Sequence, residues 1–310
     1  MGTPSFAVPS LQALLASRHA VVAVVTQPDR PAGRGLAVRP PPVKGLALER
    51  SIPVLQPAKV RTAEFVDQIR SCTPDLLVVV AFGRILPLPV LEAAPGGGIN
   101  LHASLLPKYR GAAPIAWAIA GGETVTGVTT MKMAERLDSG DILLQTSTAI
   151  LDSETTGDLE ARLAAIGARL LIDTLDAVEK GTIALLPQKE EQATFAPIIG
   201  KQDARIDWSA PASDIALRVR AFNPWPVSFT IARGRGMQVW KARATDAGQE
   251  PGAAHSRPGM VVAAGPGGVR VACGGGSMIE IVEAQPEGRK RMTGAMAAAG
   301  RYFAAGEILG

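Results

Sequence analysis

Apolar positions along the first two-thirds of the chain fall into two alternating textures. Unbroken apolar runs at Ala20–Thr26 (AVVAVVT) and Asp75–Ala81 (DLLVVVA) predict strands buried on both faces, and Gly98–His102 reads as a third. Between and after them, Val8–Ser17, Val43–Arg50, Thr62–Ser71 and Ala112–Ala120 repeat apolar residues at helical spacing, and Thr156–Lys180 reads as a long amphipathic helix. Val125–Met133 and Ile142–Ile150 read as a strand pair, and Pro28–Pro42 as a loop rich in Pro, Gly and Arg. Apolar strands separated by helices predict a doubly wound α/β domain with a mainly parallel sheet.

From about Leu185 the pattern changes to polar linker sequence, running to about Gly200. A helix is then expected over Ile215–Ala221. Short strands follow at Val227–Ile231, Met237–Lys241, Gly259–Ala263, Gly268–Cys273 and Met278–Ala284, a spacing that suits a small β-barrel. The expected organisation is a first domain over 1–184, a linker over 185–203 and a second domain over 204–310. The turn-like Gly2-Thr3-Pro4 has no strand before it, so an α/β domain beginning here opens on its first helix and lacks a parallel strand.

Composition narrows the class without choosing a function. With 310 residues, 47% hydrophobic and 19% charged, the chain has the profile of an ordinary globular protein large enough for two cores. No apolar run approaches the ~20 residues that span a bilayer, and MGTPSFAVPS lacks the features of a signal peptide, so a cytoplasmic protein with no membrane partner is expected. Cys72 and Cys273 lie far apart and suggest neither a disulfide framework nor a zinc site. Of the three histidines, His19 precedes a strand and His255 lies in a Gly/Pro-rich stretch, so His102 is the well-placed candidate base; no metal is expected. The Gly runs form neither a dinucleotide fingerprint nor a P-loop. Residues 205–310 carry 13 Lys and Arg against 8 Asp and Glu, whereas 1–204 carry 19 against 20. The basic excess sits in the C-terminal third and suits a nucleic-acid partner.

The candidate chemistry lies at the end of the third strand. Asn100 and His102 are two apart, so on a strand they project from one face. Open α/β sheets keep their ligand crevice at such ends. Asp138, in LDSGD (Leu137–Asp141), is the natural third member. Amide, imidazole and carboxylate supply an oxyanion donor, a proton carrier and a group to orient it, a set suited to acyl transfer.

These segments, with their neighbours, carry a family resemblance. GTPSFAVPSLQAL, TQPDRPAGRG (Thr26–Gly35), PVLQP (Pro53–Pro57), NLHASLLPKYRGAAPI (Asn100–Ile115), LDSGDIL, ARIDW (Ala204–Trp208), RAFNPWP (Arg220–Pro226) and QPEGRKRM (Gln285–Met292) occur in this order. Over essentially its whole length the chain resembles the methionyl-tRNA formyltransferases. The resemblance implies a Rossmann-like formyltransferase domain, a linker and a small OB-like barrel. It implies transfer of a formyl group from 10-formyltetrahydrofolate to the α-amino group of methionine on initiator tRNA. A monomer is expected.

By the same resemblance the catalytic residues are Asn100, His102 and Asp138. The folate would lie along Ser104, Leu105, Leu106 and Pro107, with Phe82, Gly83 and Asp141 on the pterin side. The loop with Arg30 and Arg34 would enter the tRNA acceptor stem, and Arg289, Lys290 and Arg291 would add phosphate contacts. The chain departs from the family in three places: the strand expected before the Gly2-Thr3-Pro4 turn, Phe82 where Tyr is common, and Glu135-Arg136 before Leu137. A form with that strand restored is expected to be more stable. Competing readings are a formyltransferase for a small amine, a hydrolase releasing formate from folate, and an inactive RNA-binding protein.

Overall fold

A computed structural model describes residues 1–32, 37–245 and 256–310, in two compact units. The first comprises Met1–Pro114, Val125–Ala149 and Glu160–Pro197; the second comprises Ile115–Thr124, Ile150–Leu159 and Ile198–Gly310. In chain order the elements that begin in the first unit are α1 (Val8–Ala16), β1 (Val24–Val25), β2 (Arg30–Ala32), β3 (Ala37–Arg39), α2 (Pro42–Glu49), β4 (Val54–Leu55), α3 (Ala63–Ser71), β5 (Leu77–Val80), α4 (Leu88–Leu91), β6 (Gly98–His102), β7 (Arg110–Gly111), α5 (Pro114–Ala120), β8 (Val125–Lys132) and β9 (Ile142–Ala149). Next come α6 (Thr156–Glu179) and β10 (Phe195–Ala196).

The ladders follow the strand chemistry. The apolar runs β1 and β5 pair in parallel with β4 and β6, while β6–β8 and β8–β9 are antiparallel, giving the order β5-β6-β8-β9. Ile99 on β6 packs with Leu143, Leu171 and Leu175, the last two one helical turn apart on α6. α3 is started by Thr62, whose hydroxyl accepts from Phe65 N–H at 3.3 Å. It then buries Phe65, Val66 and Ile69 with Leu77 and Val79 of β5.

Two local expectations are revised. Ala20–Thr26 forms ladder only at Val24–Val25, where β4 supplies a partner. Pro28–Pro42 carries a short hairpin, β2 with β3, in place of an irregular loop. Met1 and Gly2 lie between β1 and β5: Gly2 N–H donates to Val25 O at 2.9 Å, Val80 N–H donates to Met1 O at 2.9 Å, and the Met1 amine donates to Val78 O at 2.6 Å. Beside them lies an apolar cavity of about 280 Å³, lined among others by Leu11, Leu14, Val21, Val22, Leu76 and Leu175.

The second unit continues with α7 (Ala212–Ala221), β11 (Ser228–Ala232), β12 (Arg235–Thr245), β13 (Val261–Gly265), β14 (Gly268–Ala272), β15 (Met278–Pro286), β16 (Met292–Thr293) and α8 (Gly294–Ala299). Its antiparallel sheet runs β11-β12-β15-β14-β13, with β16 beside β15. Among the described residues the pairing is an open path. Alternate residues Val269 and Val271, and Ile279 and Ile281, face one core with Trp208, Ile215, Val219 and Phe303. Earlier segments belong here too: Trp117 meets Phe222 edge to face at 6.3 Å, and Arg220 donates to the carbonyls of Glu154 and Leu151.

Among the described residues no helix is long and apolar enough to cross a membrane. Cys273 is 2% exposed, and burial pushes its thiol up to about 12, whereas Cys72 is half-buried. Reaction needs an accessible thiolate. A thiol reagent at pH 8 is therefore expected to modify Cys72 and to reach Cys273 only after unfolding; rapid modification of both in native protein would contradict this.

Candidate active site

β6 places both expected side chains on one face. Asn100 stands opposite Val79 and Met131, and His102 opposite Thr129, while Ile99 and Leu101 turn to the other face. His102 is buried at 6% exposure. Its Nε2 lies 2.9 Å from Tyr109 O. A carbonyl can only accept, so Nε2 carries hydrogen and a neutral ring keeps its lone pair on Nδ1. Nδ1 in turn lies 3.7 Å from Asp138 Oδ2. The carboxylate therefore stands where an added proton on Nδ1 would place positive charge.

Asp138 reaches this position through a constrained turn. Its φ is 49°, a left-handed conformation that Asp tolerates better than most residues. Oδ2 accepts from Gly111 N–H at 2.8 Å. Two residues on, Gly140 passes so near β8 that a Cβ there would lie 1.8 Å from Lys132 O, which excludes any side chain. The third expected group, the Asn100 carboxamide, is half-buried and has no hydrogen-bond partner among the described residues. An unspent amide donor on the face of His102 is what an incoming carbonyl oxygen requires.

The segment after β6 is held from beneath. Ser104 is fully buried and donates to Lys108 O at 2.6 Å, while Thr129 Oγ1 donates to Ser104 O and accepts from Leu106 N–H. Gln145 Nε2 donates to Leu106 O at 2.9 Å. These bonds set the course of Ser104–Pro107, which includes a cis Leu106–Pro107 peptide.

Phe82 and Gly83 follow one residue after the end of β5, and Val80 pairs with Leu101, so they lie at the same end of the sheet as His102. The Phe82 ring is 2% exposed within the core of Val79 and Leu86, so what this stretch offers a ligand is backbone. Asp141 is half-buried, and its carboxylate has no partner among the described residues.

The expected basic residues divide. Arg30 is exposed on β2; Arg34 lies outside the described residues, as do Gly33, Gly35 and His255. Arg289 and Lys290 are exposed in the second unit. The Arg291 guanidinium lies 3.8 Å from the centroid of Trp240 and 3.3 Å from Glu283, so its charge is already engaged.

Two residues of the site were not foreseen. Arg110 is 3% exposed and donates through Nε and Nη2 to Gln188 Oε1, at 3.0 and 2.8 Å. Gln188 Nε2 then donates to Asp138 O at 2.9 Å and Gly140 O at 2.7 Å. The buried Arg in YRGAAP was the available signal, since a buried guanidinium needs partners. Nothing in the linker sequence marked Gln188 as one of them.

The chain is similar to known proteins over its full length. The Formyl transferase family model matches residues 1–175, and the Formyl transferase, C-terminal domain model matches 198–302. The methionyl-tRNA formyltransferase of Acetivibrio thermocellus is 47% identical over 310 residues, covering all of this chain and 98% of that one. That of Trichlorobacter lovleyi is 48% identical, covering all of this chain and 95% of that one. Among solved structures, the sugar 3N-formyltransferase WlaRD aligns with TM-score 0.65 at 18% identity, covering 93% of this chain and 97% of that one. HypX from Aquifex aeolicus in complex with tetrahydrofolic acid aligns with TM-score 0.58 at 20% identity, covering 82% and 43%. These last two establish likeness of fold.

Proposed function

The chain belongs to the methionyl-tRNA formyltransferase family, and from that premise we propose that it formylates the α-amino group of methionine on initiator methionyl-tRNA, in the cytoplasm and as a monomer. The observation that carries the proposal is the triad on β6: an unpartnered Asn100 amide beside His102, with Asp138 3.7 Å from the His102 Nδ1. The unspent Asn100 amide and Asp141 carboxylate, together with the braced Ser104–Pro107 segment, fit a formylated folate. Bound there, 10-formyltetrahydrofolate supplies the activated formyl carbon.

The chain's own residues do the rest. Asn100 is placed to donate to the oxygen on which negative charge develops, an effect worth ~10²–10³ in rate for one such donor. As the amine nitrogen bonds the formyl carbon, the bond from that carbon to folate N10 breaks, so the amine gives up a proton and N10 gains one, which protonated His102 can return to it. With Nε2 committed to Tyr109 O, the amine's proton is taken at His102 Nδ1, where Asp138 offsets the imidazolium charge. Arg30, Arg34, Arg289 and Lys290 supply phosphate contacts to the tRNA, and Arg291 supports that surface from its place on Trp240.

The test is transfer of formyl from 10-formyltetrahydrofolate to methionyl-tRNA, with a dTDP-amino sugar and water as competing acceptors. Formylated methionyl-tRNA as the dominant product is expected, with a KM for tRNA that rises steeply with salt. Preferential formylation of the sugar, or formate release without an amine, would replace this reading.

A further inference from the structure

We propose that Gln188 is a positioning residue for the reaction: its carboxamide, oriented by Arg110, clamps the backbone of residues 138–140 and so holds the Asp138 carboxylate against His102. The inference rests on the functional reading of Asp138 above. Gln188 Oε1 takes two donors from Arg110, so the other end of the amide is its NH₂, and this meets two carbonyls, Asp138 O and Gly140 O. A flipped amide would set NH₂ against guanidinium and oxygen against both carbonyls, making all four contacts unfavourable.

Arg110 is itself fixed. Its guanidinium is buried and forks onto the Glu190 carboxylate at 3.1 Å. The residue after it, Gly111, donates to Asp138 Oδ2. One dipeptide thus grips Asp138 twice, directly at the carboxylate and through Gln188 at the backbone. The turn being held is the one with φ 49° at Asp138, a conformation that persists where its surroundings impose it. Displacing a proton-handling pair by about 1 Å can cost of the order of 10²-fold in rate, so a clamp on this turn acts on kcat.

The experiment compares Gln188→Glu and Gln188→Met with wild type and with Asp138→Asn. The Glu variant keeps an acceptor for Arg110 but sets oxygen against the two carbonyls. The Met variant approximates the shape and, without adding charge, removes the bonds to both carbonyls and the acceptor that Arg110 uses, leaving Glu190 to hold the guanidinium. The expected result is a fall in kcat of about tenfold or more in both, with KM for folate and for tRNA within about threefold, in protein that stays folded at the assay temperature although its melting temperature falls.

In the Asp138→Asn background the same substitutions are expected to cost less than about threefold, since the carboxylate they position is gone. Full multiplicative loss in that background, KM rising in step with kcat loss, or no loss in either single variant would overturn the proposal. If Asp138→Asn alone leaves kcat unchanged, it is the functional reading of Asp138 that fails.

Discussion

Replacing His102 with alanine is expected to lower kcat for formyl transfer by about 10³-fold, within the 10²–10⁴ range of general acid–base groups. KM for folate should move little, because Nε2 is spent on Tyr109 O and Nδ1 is reserved for the amine's proton, so neither is a folate contact. His102 is 6% exposed, so the substitution also leaves a hole. Its size suits imidazole, and added imidazole is expected to restore part of the rate. Asn100→Ala is expected to lose ~10²–10³ in kcat with no such rescue, because it removes a donor and no proton carrier. Wild-type rates in His102→Ala would mean that the amine loses its proton elsewhere. Equal imidazole rescue of both variants would mean that the effect is non-specific.

The residues in this prediction were legible because their geometry is local. Asn100 and His102 share a face by the two-residue period of a strand, and no tertiary information is needed to see it. The Leu137–Asp141 turn was legible as a motif, but its distance to His102 was not, since that depends on where β8 ends and how Gly140 lets the chain pass Lys132.

Gln188 was invisible for the same kind of reason. It lies 50 residues from Asp138 in sequence, inside a segment that composition marks only as polar linker. Phe82 was placed on the pterin side by resemblance, through backbone groups, and its ring packs in the core with Val79 and Leu86. Ala20–Thr26 has every local property of a buried strand, but a ladder needs a partner strand, and β4 meets only Val24 and Val25.

The space beside Met1 and Gly2 leads to the second effect. Four or five apolar β-branched residues placed before Met1 of this 310-residue chain are expected to raise Tm by a few degrees. The extension would continue the parallel ladder that Met1 and Gly2 begin, between Ala20–Ala23 and Leu76–Val78. Covering the apolar lining beside Met1 favours the extended form, and ordering the added residues, at about 1–2 kcal/mol each, offsets much of that gain.

A Gly-Ser extension of equal length separates two contributions. In a 310-residue chain that begins at Met1, burial holds that amine down to about 5, against 8.0 for a free amine. Between these values the unfolded chain binds a proton that the folded chain refuses, so stability is full above pH 8 and declines as pH falls to about 5. Either extension turns that amine into an amide and is expected to remove this slope; only the apolar one also raises the plateau. An apolar extension that leaves Tm unchanged would show that the space between β1 and β5 does not accept a strand. A slope that survives both extensions would assign the pH dependence to other groups.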